Sequence, residues 1–255
     1  MKMGKLLAVH SFRGGTGKSN LTGNIAAALT AKGRRVGVID TDIQSPGVHA
    51  LFGVNPESAR FTLNDYLLEK CKVEEAVCDV TDSVKIRSGQ AEGRLYLIPS
   101  SMRSSEITHI IQSGYDVGRL NMGFQQLIQH LDLDFLLVDT HPGVNEETLL
   151  AAAISDGLIL VMRPDRQDYQ GTSVMLELAR MLKVPRISLI VNKAVGRSDF
   201  ELLKHRVETT FKTEVLAVIP LIEELAALGS SDLFCMKVPE HEFSQAVRRI
   251  ADSLA

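Results

Sequence analysis

Residues 9–19 read VHSFRGGTGKS, and this stretch decides the fold class of the chain. An apolar run at residues 5–9 leads into it and predicts a buried strand. After it, Leu21, Ile25 and Leu29 recur at a helical spacing. A strand, a glycine-rich turn and a helix are the context that a phosphate-binding loop requires. A glycine-rich turn with an unrelated lysine would not account for that context.

Each residue type in the loop has a physical use. Glycines let the backbone curl so that successive N–H groups face one anion, and the amino end of the helix adds partial positive charge. A lysine brings a full charge to the outer phosphates, and a serine hydroxyl can bind Mg²⁺. The sequence therefore predicts binding of nucleotide phosphates with Mg²⁺, and the predicted nucleotide-binding residues of the loop are Gly14, Gly15, Thr16, Gly17, Lys18, Ser19 and Asn20.

The loop does not fit the general pattern G-x-x-x-x-G-K-[ST], because Phe12 stands where that pattern needs glycine. Residues 13–19, RGGTGKS, resemble the deviant pattern K-G-G-x-G-K-[ST] of the MinD/ParA family of ATPases. In that family the first lysine reaches across an ATP-sandwich dimer to the partner's nucleotide. The resemblance implies a catalytic role for Arg13. Arginine keeps the charge of that lysine but has a planar fork of donors, so the role either persists with a different geometry or is lost. The alternative is a surface or intrasubunit ion pair.

Two aspartate motifs extend the resemblance over essentially the whole chain. Asp40 and Asp42 follow the predicted strand 35–39 and are similar to the family's D-x-D segment, switch I. Asp139 resembles the Walker B aspartate that leads into switch II. The resemblance implies that Asp42 orients the attacking water and that Lys18 assists catalysis. It also implies that Ser19, Asp40 and Asp139 hold the metal. The alternative for the first two aspartates is a solvated turn.

Two later strands end where the family contacts adenine. Asn192 follows the predicted strand 187–191, and Pro220 follows the predicted strand 215–219. The resemblance therefore implies that both residues bind the nucleotide base. Ile222 stands where the family often has an acidic residue, so base recognition there would depend on the backbone.

Two further segments have weaker signals. His141 stands in switch II where the family more often has proline or a small residue. It could sense the γ-phosphate, or it could serve packing or face solvent. Asp165, Arg166 and Asp168 resemble a loop that borders the family's dimer interface, and the alternative is a charged surface turn.

Strands and helices are predicted to alternate along one domain, residues 1–255. Parallel strands joined by helices indicate an α/β fold, with a doubly wound, mostly parallel sheet and helices on both faces, as in P-loop NTPases. Such sheets bind ligands beyond the carboxyl ends of their strands, where every motif above falls. The other predicted strands are 95–98, 135–138 and 158–162, and the predicted helices are 20–32, 63–71, 105–112, 117–131, 146–154, 170–182, 199–211 and 240–254.

Composition limits the partners and the compartment. The net charge of −3 provides no global attraction to nucleic acid, so non-specific DNA binding would need a local patch. Candidate pairs are Lys204 with Arg206 and Arg248 with Arg249. Three scattered cysteines without a C-x-x-C motif indicate reduced thiols in a cytoplasmic protein. The missing cysteine pair also argues against the iron–sulfur carriers of this family.

The two ends of the chain predict no membrane attachment. The first strand begins within a few residues of the amino terminus, which leaves no room for a signal peptide. MinD proteins end in a basic amphipathic helix that binds membrane. Here Phe243, Val247, Ile250 and Leu254 form an apolar stripe that we expect to pack on the domain, so no C-terminal membrane helix is evident.

Two classes of function follow. The first is an ATP-hydrolysing switch that forms an ATP-dependent homodimer and positions or partitions a cargo, such as DNA, a protein complex, or a cell-division or surface component. Its hydrolysis would be slow and stimulated by a partner protein. The alternative is a metabolic or assembly ATPase on the same scaffold, either ligase-like or a metal-insertion factor. The sequence does not identify the cargo.

Overall fold

The computed structural model describes residues 4–85, 93–196 and 199–255, and within them eight strands form one sheet. In space their order is third, fourth, second, fifth, first, sixth, seventh and eighth. Neighbouring strands run parallel except the third and fourth, which pair antiparallel at one edge. In chain order the strands are β1 Lys5–His10, β2 Arg35–Asp40, β3 Cys78–Asp79, β4 Arg94–Ile98, β5 Phe135–Asp139, β6 Gly157–Met162, β7 Ile187–Ala194 and β8 Glu214–Pro220.

Helices cover both faces of this sheet, which confirms the predicted doubly wound fold. Leu7 and Val9 of β1 pack in a cluster with the first and last helices, whereas Leu6 and Ala8 pack in clusters on the opposite face. Strand side chains alternate between faces, so β1 is buried on both sides. The helices are α1 Lys18–Ala31, α2 Leu63–Leu67, α3 Asp82–Lys85, α4 Ser104–Ser113, α5 Val117–His130, α6 Glu146–Ile154, α7 Arg166–Met181, α8 Phe200–Phe211, α9 Glu223–Ala227, α10 Phe234–Lys237 and α11 Glu242–Leu254, with 3₁₀ turns at Val48–Phe52 and Val73–Ala76.

Three predicted boundaries are wrong by three or more residues, each for a local reason. The helix predicted over 63–71 ends at Leu67, and Glu69 then takes a left-handed φ of 62°. The helix predicted over 170–182 begins four residues earlier, because Asp165 caps it by accepting the N–H groups of Gln167 and Asp168. The strand predicted over 187–191 continues to Ala194 through an irregular register with β8. The structure also contains β3, α3, α9 and α10, which the sequence patterns did not predict.

The carboxyl-terminal helix packs on the sheet as expected. Phe243, Val247, Ile250 and Leu254 are buried in the cluster that includes α1, and they are at most 4% exposed. The helix begins at Glu242, two residues later than predicted, and His241 caps it by accepting the N–H of Phe243. Within the described ranges, no helix combines the length and apolarity that crossing a membrane requires.

Candidate functional site

Residues 11–17 connect β1 to α1, and Ser11 and residues 14–17 of this loop line a cavity of about 340 Å³. Gly17, just before α1, has a φ of 90°, which side chains rarely tolerate. A Cβ there would lie 2.5 Å from Asn192 Nδ2, so only glycine fits. At Gly14 and Gly15, by contrast, no described atom lies within 4 Å of an added Cβ, which leaves that side of the loop open. The loop thus has the open backbone that an anion needs.

A buried carboxylate lies at the end of the loop. Asp139, at the carboxyl end of β5, accepts Lys18 Nζ at 2.8 Å, Ser19 Oγ at 2.6 Å and Thr22 Oγ1 at 3.0 Å. Lys18 is the first residue of α1 and is only 7% exposed. The structure therefore brings the predicted lysine, serine and Walker B aspartate into contact, and it adds Thr22, which the sequence reasoning missed.

The oxygen donors of this cluster fit a magnesium ion. Mg²⁺ prefers hard oxygen ligands, usually one or two from the protein together with water and substrate phosphates. The Ser19 hydroxyl and the Asp139 carboxylate are 2.6 Å apart and supply such oxygens. The predicted ligand pair thus has suitable chemistry and proximity.

Asp40, the third predicted metal residue, is engaged with the backbone. Its Oδ1 accepts the N–H of Asp42 at 3.1 Å, and its Oδ2 accepts the N–H groups of Gly47 and Val48 at 3.0 and 3.3 Å. Burial and the neighbouring charge of Asp139 raise the pKa of Asp40, although these donors oppose the rise. What the structure shows is a carboxylate that fastens the loop after β2, and its metal role stays a prediction.

Asp42 lies on the wall of the cavity and contacts switch II. His141 Nδ1 lies 2.7 Å from Asp42 Oδ1. Ser45 donates to the same oxygen from its backbone N–H and its hydroxyl, both at 3.2 Å. Asp42, Ser45 and Pro142 all line the cavity beside the loop. The segments after β2 and β5 therefore meet at the place where the outermost phosphate of a nucleotide would be expected.

The two residues predicted to contact adenine line a second cavity of about 220 Å³. Asn192 and Pro220 lie on its wall, together with Ile222. It shares Gly17 and Asn20 with the first cavity, so the two are adjacent along the loop. This arrangement is compatible with phosphates in one cavity and a base in the other, and the adenine contact stays a prediction.

Asn192 also braces the loop, which the sequence did not indicate. Its Nδ2 donates to the carbonyl of Thr16 at 2.7 Å, and Lys193 Nζ donates to the carbonyl of Gly15 at 2.8 Å. Both residues belong to the irregular end of β7, where Lys193 takes a φ of 56°. Asn20 in turn donates to Ser230 Oγ at 3.0 Å across the boundary of the two cavities.

Arg13 does not line the nucleotide cavity in the described part of the chain. Its guanidinium donates to Gln167 Oε1 and lies 3.4 Å from Asp168 and 3.7 Å from Asp165. Asp168 is 2% exposed in the first turn of α7, so for this residue the alternative of a charged surface turn is wrong. Arg163 shares Asp168 at 3.2 Å. The intrasubunit ion pair is therefore present, and the cross-subunit role stays a prediction.

Comparison with known proteins agrees with this geometry. The model of the ParA family, described as NUBPL iron-transfer P-loop NTPase, matches residues 2–255. The chain belongs to the ParA family. It is a P-loop ATPase with the MinD/ParA fold, as the loop and the aspartate motifs indicated. A similar solved structure is septum site-determining protein MinD complexed with Mg-ADP from Pyrococcus horikoshii, with a TM-score of 0.80 at 23% identity over 99% of this chain and 96% of that chain.

Two curated relatives of this ParA-family ATPase differ in their named roles. An iron–sulfur cluster carrier protein of Methanocaldococcus jannaschii is 30% identical over 97% of this chain and 84% of its own length. The flagellum site-determining protein YlxH of Helicobacter pylori is 26% identical over 98% of this chain and 81% of its own length. Family membership thus includes both classes of function that the sequence left open.

The basic pairs proposed for DNA lie on two different helices of this ParA-family fold. Lys204 and Arg206 lie on α8, whose core residues pack on one face of the sheet. Arg248 and Arg249 lie on α11, which packs on the opposite face. Arg248 also donates to the carbonyl of Pro239 at 2.6 Å. A DNA surface at either pair stays a prediction.

Proposed function

We propose that this ParA-family ATPase is a switch in which ATP joins two copies and hydrolysis separates them. The joined form would position or partition a cargo such as DNA, a protein complex, or a cell-division or surface component. A partner protein would act as its activator or cargo. Each part of the proposal connects to a feature of the nucleotide cavity.

One observation carries the proposal: the loop, Asp42 of switch I and Pro142 of switch II line the same cavity. Segments that contact an outermost phosphate are ordered while it is present and released when it is removed. Because both segments lie at the surface of this cavity, the loss of one phosphate would change two adjoining parts of the surface together. That coupling is what an ATP-dependent partner surface requires.

The residues divide the work of hydrolysis. Lys18 and the N–H groups of the loop would hold the phosphates, and Asp42 would orient the attacking water. Ser19 and Asp139 would hold Mg²⁺, which when bound neutralises the charge that develops on the phosphate oxygens. Arg13 would leave Asp168 to reach the nucleotide of the second copy. Asn192 and Pro220 would flank the base.

The comparisons support positioning as the purpose of the switch. A relative that covers nearly all of this chain is named for determining the site of a flagellum, and a structural neighbour is named for determining the site of a septum. Placement of a cellular structure is common to both names. We therefore favour positioning or partition over metabolic chemistry.

Light scattering after size-exclusion chromatography tests the dimer. With ATP and Mg²⁺, Asp42→Ala should elute as a dimer, and with ADP it should elute as a monomer. Co-sedimentation with duplex DNA and with anionic vesicles, in ATP and in ADP, then tests the platform. A protein that hydrolyses ATP yet stays monomeric in every nucleotide would contradict the switch.

A second candidate, an iron–sulfur assembly ATPase, is favoured by the 30% identity to the Methanocaldococcus jannaschii carrier. The cysteines argue against it, because the thiolate is the metal ligand and burial raises the pKa of Cys71 to about 11 and of Cys235 to about 12. Among the described residues, no group of three His, Cys, Asp or Glu side chains could hold a metal ion. Anaerobic incubation with iron and sulfide decides: a stable bound cluster would favour the carrier.

A further inference from the structure

The contact between His141 and Asp42 joins switch II to switch I, and no motif assigns it a role. We propose that His141 is a positioning residue for ATP hydrolysis, which holds Asp42 so that one carboxylate oxygen stays available to the attacking water. This proposal rests on the proposed role of Asp42. It adds a residue whose effect passes through Asp42.

The two oxygens of Asp42 have different surroundings. Oδ1 accepts His141 Nδ1 at 2.7 Å and both donors of Ser45 at 3.2 Å. For Oδ2, no donor is found among residues 4–85, 93–196 and 199–255. Because Asp42 lines the cavity of about 340 Å³, the free oxygen belongs to a carboxylate at its wall. One oxygen is thus fixed by three donors, and the other can accept a hydrogen bond from water.

The contact also fixes the proton of the imidazole. An ionised carboxylate only accepts hydrogen bonds, so His141 Nδ1 must carry the proton. A neutral imidazole satisfies this requirement, and the contact therefore does not depend on a charged ring. Hydrogen bonds to a carboxylate are stronger than those between neutral groups, which makes this single contact effective in orienting Asp42.

His141 acts through Asp42 and not on the nucleotide. Of the described switch II residues, Pro142 lines the cavity, whereas His141 does not. Its side chain is 24% exposed and contacts the Asp42 carboxylate. His141 can therefore influence turnover without touching the substrate.

The backbone around His141 is held firmly enough to position another residue. On one side, the N–H of Thr140 donates to the carbonyl of Val9 at 3.2 Å. On the other side, the N–H of Gly143 donates to the carbonyl of Ser11 at 3.1 Å. These bonds attach switch II to β1 and to the phosphate-binding loop. Because its backbone is held in this way, His141 can keep the Asp42 carboxylate in one orientation, as a positioning residue must.

Steady-state ATP hydrolysis by three variants tests the proposal. His141→Leu removes the donor, and kcat should fall about tenfold while KM for ATP changes less than about twofold. His141→Asn places an amide N–H near the position of Nδ1, and it should retain at least about half of the kcat. His205→Leu, an exposed histidine on α8, is the matched control and should retain normal kcat.

A double variant separates this proposal from the role of Asp42 itself. If His141 acts through Asp42, Asp42→Asn should be slow and adding His141→Leu should slow it no further. Normal turnover by Asp42→Asn would overturn the assigned role of Asp42 and the present proposal with it. A slow Asp42→Asn beside a normal His141→Leu would overturn the positioning role alone. Equal losses in His141→Asn and His141→Leu, or additive losses in the double variant, would overturn it as well.

Discussion

Lys18 Nζ lies 2.8 Å from Asp139 Oδ1, and both side chains are buried. An ion pair taken out of water is favourable only when its remaining hydrogen-bonding capacity is satisfied. Here Ser19 and Thr22 donate to the same carboxylate. The pair therefore places the positive charge of Lys18 directly beside the proposed metal ligands, where we expect it to contact phosphate.

Lys18→Ala should lose ATP binding, because it removes the charge that would contact the outer phosphates. Labelled-nucleotide binding should show an affinity at least about 100-fold weaker. Folding should persist with a loss of about 3–5 kcal/mol, because the buried Asp139 loses its charged partner and keeps only two hydroxyl donors. Lys32→Ala is the control: Lys32 follows the same helix but pairs with Asp252, and its variant should bind ATP normally. Wild-type affinity in Lys18→Ala would remove the lysine from its assigned role.

Gly17→Ala should also lose ATP binding, for a steric reason. The added Cβ meets Asn192 Nδ2 at 2.5 Å and needs a φ of 90°. The strain should lower the free energy of unfolding by about 1–3 kcal/mol and move the loop. Gly33→Ala is matched, because it also needs a positive φ of 81° but no described atom lies within 4 Å of its Cβ. The Gly33→Ala control should lose stability and keep ATP binding. Equal loss of ATP binding in the two variants would show that the contact with Asn192 is not the cause.

Asp42→Ala should bind ATP and hydrolyse it slowly, because orienting water acts in the transition state more than in binding. The expected loss in kcat is about 10²-fold or more. Phosphate release and nucleotide affinity are measured on the same preparation. Ser45→Ala removes only a 3.2 Å hydroxyl contact to this carboxylate and should lose much less. Normal turnover by Asp42→Ala would point to Asp40 or to switch II instead.

His10 should make stability depend on pH. Burial, followed by the charges of Lys18 and His141, lowers its pKa from 6.5 to about 3. Because folding lowers the pKa of His10, the residue binds a proton more readily in the unfolded state. Its stabilisation is therefore complete above pH 6.5 and is lost as the pH falls toward 3.

Between pH 6.5 and 5, the free energy of unfolding of the native protein should fall by about 2 kcal/mol more than that of His10→Asn, which has no titrating ring. Urea unfolding at several pH values measures the difference. His205→Asn changes an exposed histidine and should keep the native slope. Parallel curves for the native protein and His10→Asn would show that this residue is not the source.

Features that depend on residues close together in the chain could be predicted from the sequence. The loop, the burial of β1 on both faces and the places of Asp42 and Asp139 follow from glycine spacing and from apolar runs that end in acidic residues. These features depend on neighbours along the chain, and a parallel sheet collects the ends of its strands at one edge. That is why Lys18, Ser19 and Asp139 could be assigned to one site before their contacts were known.

Contacts between distant segments could not be predicted in the same way. The bonds from Asn192 to Thr16, from Asn20 to Ser230 and from His141 to Asp42 each join parts of the chain that only the order of the strands brings together. Sequence spacing carries no signal for them. The bulge at Lys193 is likewise set by pairing with β8. The residues missed were therefore those that brace the loop and switches from other strands.

The ion pair between Arg13 and Asp168 bears directly on the proposed ATP-dependent dimer. Arg13 Nε lies 3.4 Å from a carboxylate that Arg163 also contacts, so Asp168 keeps a partner when Arg13 leaves or is removed. The Arg13 side chain is about a third exposed and is not among the residues that line the nucleotide cavity of its own copy. Under the proposed switch we expect it to exchange its place on α7 for the phosphates of a second copy, where two parallel donors would bind oxygen atoms.

Arg13→Ala should keep ATP binding, lose ATP-dependent dimerisation and lose most turnover, whereas Arg13→Lys should keep part of both because it retains the charge without the fork. Arg186→Ala is the matched control, since Arg186 also pairs with a carboxylate, Glu214, but lies just before the amino end of β7, whereas Arg13 follows the carboxyl end of β1. Light scattering and phosphate release report the two properties. If Arg13→Ala still dimerises with ATP and turns over normally, its ion pair with Asp168 is its whole role, and another cation must join the two copies.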